Sequence, residues 1–258
     1  MKIFVMVDME GISGIVKASH VMPDGAHYQQ GRKYMTWDVN ACIEGCFRAG
    51  AEKVVVRDCH CSGYNLIWED LDPRAEYIQG VVERERMPGI DGFDGLILLG
   101  YHAMAGTPQG VLEHTMSSAA WQNFYVNGQK AGEIMIDAAV AGDHGVPVIM
   151  VSGDDHLCKE ADFLKGAIKV EVKKGLAREG AQLLSMKEAH RKITEGTEKA
   201  VKKCKRIKPL KIKAPVKLRL ELVSKGLLPY RRENVKVIDG RTFETEGASM
   251  EDAFNMLT

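Results

Sequence analysis

The sequence predicts an α/β protein: a mainly parallel sheet with helices on both faces, plus a smaller C-terminal α+β region. Three observations carry that reading. Short aliphatic and β-branched runs recur through about residue 175, they are apolar almost throughout, and helical patterns separate them. Strands covered on both faces lose the alternation of inward and outward residues, so continuous apolar runs point to a parallel sheet.

The runs lie at 3–7, 53–56, 95–99, 146–151 and 167–172. Between the first two, the stretch 37–48 carries apolar residues at 39, 42, 43, 46 and 47, a helical stripe that opens after Thr36 and stops at Gly50. Strand, helix and strand make a βαβ unit. The dipeptide Asn127-Gly128 is a tight-turn signal, placing a hairpin between a strand at 124–126 and a helix over 132–145. Beyond 175 the character changes, which divides the chain into an α/β domain over 1–175 and a smaller α+β region over 176–258. A long helical pattern covers 178–203. Strands are expected at 218–223, 235–237 and 242–245, with a turn at Asp239-Gly240 and a terminal helix over 250–257.

Composition narrows the function classes. The 258 residues carry 35 Lys+Arg and 35 Asp+Glu, so no net field draws the chain to nucleic acid or a membrane surface. The segment 191–219 is strongly basic but lacks interleaved aromatics for base stacking, and reads as a solvated helix face and linker more than a polyanion site. No apolar run approaches the ~18–20 residues of a membrane span. Acids at positions 8 and 10 come too early for a signal peptide, and six cysteines are too sparse for a stapled secreted domain. The expected location is the cytoplasm.

The chemistry-bearing residues sit just past the apolar runs. Asp8 and Glu10 follow the first, and residues two apart on an extended backbone point the same way. Two such carboxylates repel unless a proton or cation intervenes, although one of them capping a helix or pairing with an Arg is also open. His60 follows the second run; Cys59 and Cys61 flank it but should point away, which argues against a Cys-His-Cys zinc ribbon. His102 follows the third, in Leu98-Leu99-Gly100-Tyr101-His102. In open α/β sheets, ligands bind outside the carboxyl ends of the strands. Glu133 heads the 132–145 helix, where an acid also suits the helix dipole. Three carboxylates and two imidazoles suit zinc, cobalt or manganese, and they exceed what one open tetrahedral site needs, so two metals sharing a carboxylate is the economical reading. The Gly/Pro-containing loop 106–118 brings His114 as an acid, base or oxyanion donor. No Gly-x-Gly-x-x-Gly turn, Walker Gly-Lys-Ser/Thr or nucleophile-elbow serine is present.

Six ordered motifs carry a resemblance: VDMEGISG at 7–14, DCHCSGYN at 58–65, LLGYHAMAGT at 98–107, EHTMSS at 113–118, NGQKAGE at 127–133 and GVPVIMVSGDD at 145–155. Together they resemble the DppA-type D-aminopeptidases, a family of binuclear zinc metallopeptidases. A weaker likeness continues through LLPY at 227–230 and DGRTF at 239–243. The resemblance implies two Zn²⁺ per subunit, held by Asp8, Glu10, His60, His102 and Glu133 with Asp8 as the bridge, and His114 as the catalytic histidine. It implies ring-shaped homo-oligomers that admit short peptides or amino-acid amides and release N-terminal, D-configured residues. At position 137 the family pattern leads one to expect Asn; Asp137 either alters how a substrate amino group is held or faces solvent. Competing functions are a two-metal phosphoesterase or amidase, and a non-enzymatic ligand-binding relative.

Overall fold

The computed structural model describes residues 1–82, 85–225 and 234–257. In chain order the elements are β1 (Lys2–Val7), α1 (Ala18–Val21), α2 (Tyr28–Arg48), β2 (Lys53–Asp58), β3 (Glu76–Ile78), β4 (Gly95–Leu99), β5 (Trp121–Val126), β6 (Gln129–Lys130), α3 (Glu133–Asp143), β7 (Val148–Asp154), α4 (Asp155–Glu160), β8 (Ile168–Ala177), β9 (Gly180–Leu183), α5 (Met186–Lys203), β10 (Val216–Leu222), β11 (Lys236–Val237), β12 (Thr242–Gly247) and α6 (Met250–Leu257). The larger sheet runs β3-β2-β1-β4-β7-β8-β9, parallel except for the β8–β9 hairpin. A second, antiparallel sheet runs β11-β12-β10-β5-β6.

Helices cover both faces of the larger sheet, as the continuous apolar runs require. Ile3, Val5 and Val7 pack with residues of α2 and α5 on one side, while Phe4 and Met6 join α3 on the other. The small sheet closes over α3 from outside, with Phe124, Leu218, Leu220 and Phe243 in the same core. Sandwiched this way, α3 buries Glu133 to Gly142 and can be apolar nearly all round.

Several boundaries differ from the pattern-based expectation. Helix α2 begins at Tyr28, nine residues before Trp37, and Thr36 is not its cap but donates its hydroxyl to Arg32 O at 2.9 Å. The first turns are polar, so no apolar stripe announces them. Nor is 178–203 one helix. The strand β8 runs on to Ala177 and turns back as β9, and α5 starts at Met186, with Ser185 Oγ accepting from Glu188 N. Ser-x-x-Glu at 185–188 has the capping-box pattern, and it marks where the helix starts. The sheets do not part at residue 175 either: β8 crosses it, whereas β5 and β6 belong to the small sheet. Asn127 and Gly128, both at positive φ, make the expected β5–β6 hairpin turn. The LLPY motif at 227–230 lies outside the described residues.

His144, at the end of α3, ties the terminal helix down by bonding Asp91 Oδ1 (2.8 Å) and Glu251 Oε2 (3.0 Å). Burial opposes its charge, but the hydrogen bonds to Asp91 and Glu251 outweigh that and raise its pKa. A pKa raised on folding stabilises the fold fully below the unfolded value near ~6.5, and that contribution fades as pH climbs through the folded value. Amide protection factors in α6 are therefore expected to fall as pH rises above ~6.5, relative to the rest of the chain. The His144→Gln protein should lose that pH dependence; an unchanged profile would exclude the tie.

Candidate metal centre

The chain order places a topological switch at β1. From β1 the chain moves outward through β2 and β3, then returns to the other side with β4. The loops leaving β1, β2 and β4 therefore meet at one rim, where ligands bind in this class of sheet. Backbone bonds lace them together: Asp8 N donates to Leu99 O, Cys59 N to Val7 O and Gly11 N to Gly100 O. Gly11 is obligatory there, because a Cβ would lie 1.8 Å from Tyr101 O.

The five predicted ligands and His114 converge in this place. His60 Nδ1 lies 3.1 Å from Asp8 Oδ1 and 3.2 Å from Glu10 Oε2. His102 Nε2 lies 3.3 Å from Asp8 Oδ2 and 3.3 Å from Glu133 Oε1, and His114 Nε2 is 3.8 Å from that same Glu133 oxygen. Two groups of ligating atoms result, Asp8-Glu10-His60 and His102-His114-Glu133. Asp8 spans them, one oxygen toward each histidine. The strand ends at Val7, so Asp8 and Glu10 converge through the turn that follows and not through strand alternation. Neither flanking cysteine joins the ligand groups: Cys59 points away as expected, its Sγ on Val7 O, whereas the exposed Cys61 turns its side chain toward His60.

Each loop has its own support. Asp58 accepts from Asn65 N, Asn65 Nδ2 and Leu66 N, and Asn65 Nδ2 also donates to His60 O, fixing the β2 loop. The fully buried Lys173 donates to the carbonyls of Glu10, Ile12 and Ile15, fixing the β1 loop; burial lowers its pKa to about 8. Met116 N donates to Glu133 Oε1 at 2.7 Å, joining the His114 loop to α3. His114 stacks on His102, with ring centroids 4.0 Å apart. Lys173 gives no sequence signal, since a lysine in a partly charged strand is ordinary; Asn65 closes the DCHCSGYN motif, but nothing in its residue type announces that it braces the loop.

The three imidazoles share one arrangement. The ring nitrogen facing away from the carboxylates sits on a backbone carbonyl: His60 Nε2 on Val21 O (2.8 Å), His102 Nδ1 on Ala103 O (3.0 Å) and His114 Nδ1 on Leu112 O (2.9 Å). Metal-ligating histidines are held in this way, because the rear N–H···O bond leaves the front nitrogen a lone pair. The front of the cluster is crowded with polar atoms that lack hydrogen bonds. Asp8 Oδ2, Glu10 Oε2 and His102 Nε2 are buried with no hydrogen-bond partner, an arrangement that costs free energy unless something binds them. Burial opposes charge on His60 and His102, yet Glu10 and Glu133, together with Asp8, overcome it and push both pKa values well above the usual histidine range. Against the penalty of burial, the imidazoles hold Asp8 well below the usual carboxylate range, and Glu133 at about 2. The cluster demands positive charge between its carboxylates. A divalent cation supplies it without protons on the imidazoles, so the donor set fits metal.

Asp137 neither faces solvent nor meets the cleft as a free acid. It is fully buried, chelated by Arg86 and by the Tyr101 hydroxyl. Sequence reasoning misses Arg86, which lies in an irregular stretch with no periodicity to expose it.

At the carboxyl rim of a mainly parallel sheet, three carboxylates and three imidazoles make the site of a metal-binding α/β protein. Comparison with known proteins places it further. The Peptidase M55 (D-aminopeptidase) family model matches residues 1–258, and the chain belongs to that family. It is similar to the D-aminopeptidase of Bacillus subtilis (strain 168), 40% identical over 213 residues that cover 81% of this chain and 77% of that one. Its fold is similar to the solved structure of the Zn-dependent D-aminopeptidase DppA from Bacillus subtilis, a self-compartmentalizing protease, with TM-score 0.92, 35% identity and coverage of 99% and 95% of the two chains. The chain is a metal-dependent aminopeptidase, and the phosphoesterase and non-enzymatic readings fall away. Among the described residues, no helix is long and apolar enough to cross a membrane.

Proposed function

We propose that the protein removes N-terminal D-amino acids from short peptides or amino-acid amides, with two zinc ions per subunit held by Asp8, Glu10, His60, His102 and Glu133. The single observation behind this is the paired cluster of buried, unbonded ligand atoms that Asp8 spans. Membership of the D-aminopeptidase family and the zinc dependence of the structural relative support the choice of zinc and of a D-configured substrate. Zinc, when bound, polarises a carbonyl and makes water a nucleophile near neutral pH.

The chain's own groups do the rest. Asp8, Glu10 and Glu133 bring the negative charge that holds the cations, and the backbone carbonyls behind the imidazoles fix which ring nitrogen is presented. His114 differs from the other two histidines. Its side chain keeps 15% of its accessible surface against 6% for His60 and 1% for His102, so it stands at the mouth, where a substrate arrives. With Nδ1 committed to Leu112 O, Nε2 is the nitrogen that donates to a developing oxyanion or carries a proton to the leaving amine. Assembly into a ring-shaped homo-oligomer that restricts entry to short substrates is supported by the self-compartmentalizing relative. Six free cysteines support a reducing, cytoplasmic setting.

Elemental analysis of purified protein, with hydrolysis assays on matched D- and L-aminoacyl amides, tests the proposal. Glu10→Ala and His102→Ala are each expected to lose the zinc of their own half of the centre, and hydrolysis with it; full activity in a Glu10→Ala protein depleted of zinc would end the proposal. His114→Ala is expected to keep its zinc while kcat falls by roughly 10²–10⁴. Loss of zinc in that variant would make His114 a ligand instead.

A further inference from the structure

We infer that Arg86 is a positioning residue for Glu133, acting from a buried network behind the metal cluster. Glu133 and Asp137 stand one turn apart on α3, at the i and i+4 spacing that puts two side chains on one helix face. Arg86 bridges them. Its Nε donates to Asp137 Oδ1 at 2.6 Å and its Nη2 to Asp137 Oδ2 at 3.0 Å, a two-pronged contact that fixes the guanidinium plane. The same Nη2 lies 3.7 Å from Glu133 Oε2.

Both oxygens of Glu133 are thereby assigned. Oε1 takes Met116 N and faces His102, and Oε2 faces the guanidinium. Without a cation behind it, Oε2 would be free to swing, because no other hydrogen bond to it is present among the described residues.

The network is anchored beyond Asp137. Tyr101 OH donates to Asp137 Oδ2 at 2.6 Å and lies 3.5 Å from Cys59 Sγ. Tyr101 immediately precedes His102 and Cys59 immediately precedes His60. The network thus touches the chain beside His60 and His102 and reaches Glu133 itself. Asp137 alone would be a buried uncompensated acid, and Arg86, whose side chain keeps 15% of its accessible surface, a largely buried cation short of a partner, so each requires the other. Lysine would supply the charge without the planar fork, and with it neither the second bond to Asp137 nor a fixed edge toward Glu133.

This inference rests on the metal-binding proposal only for its first readout. Zinc affinity is measured by chelator competition on the full-length wild-type protein, the Arg86→Gln/Asp137→Asn double variant, which keeps the buried pair neutral, and Arg86→Lys. Crystal structures of all three are determined without added metal. The double variant is expected to bind one zinc equivalent roughly 10–100-fold more weakly, the range for partners behind a ligand, with the other equivalent less affected because Asp8, Glu10 and His60 are untouched. Arg86→Lys should fall between the two. In the metal-free structures of the variants, Glu133 Oε1 is expected to leave Met116 N. Unchanged competition curves, or a Glu133 carboxylate that stays on Met116 N, would overturn the inference. Should the wild type take up no zinc, the metal proposal fails by itself, and the Glu133 position still decides the role of Arg86. Should the double variant not fold, Arg86→Lys carries both readouts.

Discussion

The Asp8→Asn protein is expected to lose both halves of the centre at once. Every other ligand serves one group of the cluster, but Asp8 Oδ1 faces His60 and Asp8 Oδ2 faces His102. Asparagine keeps the shape and removes the charge, and its amide presents a donor where an anionic oxygen is needed. Zinc affinity should therefore fall by more than the ~10–100-fold typical of residues behind the ligands, and hydrolysis should drop to background. Elemental analysis after gel filtration, beside an assay on a D-aminoacyl amide, measures both. A variant that retained one tightly bound zinc per chain and measurable turnover would show that the two halves are independent. Glu10→Ala provides the contrast, since it removes a contact from the His60 half alone.

The second large effect comes from a residue that carries no chemistry. Gly11→Ala would put a Cβ 1.8 Å from Tyr101 O and 2.6 Å from the Gly100 carbonyl carbon. Both obstacles are backbone, so no side chain can rotate away. One of two loops must yield: the one bearing Asp8 and Glu10, or the one leading into His102. The Gly11 N to Gly100 O bond at 2.8 Å is lost in either case. A destabilisation of ~3 kcal/mol or more is expected, a fall of roughly 10 °C in midpoint for a chain of this size. Thermal unfolding with and without added zinc reports it, and the stabilisation conferred by zinc should shrink together with affinity. A midpoint within a degree or two of wild type would mean that the loops tolerate separation.

Much of the site is legible in the sequence. Asp8, His60 and His102 lie within a few residues of the ends of apolar runs, and an α/β sheet has one rim where such ends meet. Glu133 is legible because Asn127-Gly128 fixes a turn and the helix that follows is apolar almost from its start. Those signals are local and periodic, which is the kind that a chain displays along its length. Tyr28 is not legible as the start of α2, since its first turns bury little apolar surface and carry Gly31. The hairpin β8–β9 is hidden for a related reason: its strands are half exposed and charged, so their composition matches that of a solvated helix.

The residues that hold the ligands in place belong to the other category. Lys173 reaches back over more than 150 positions to the Glu10 loop, and Arg86 spans 51 positions to Asp137. Neither contact leaves a trace in spacing or alternation. A buried lysine among charged neighbours and an arginine in an irregular stretch look like surface residues until folding removes the water around them. Once it is gone, an unpaired charge or carbonyl becomes costly and each must find its partner. Apolar periodicity is written into neighbouring residues, so it yielded the sheet and the rim at which the candidate ligands meet. Desolvation depends on what the completed fold stacks over a group, and it alone determined which distant charges support the metal cluster.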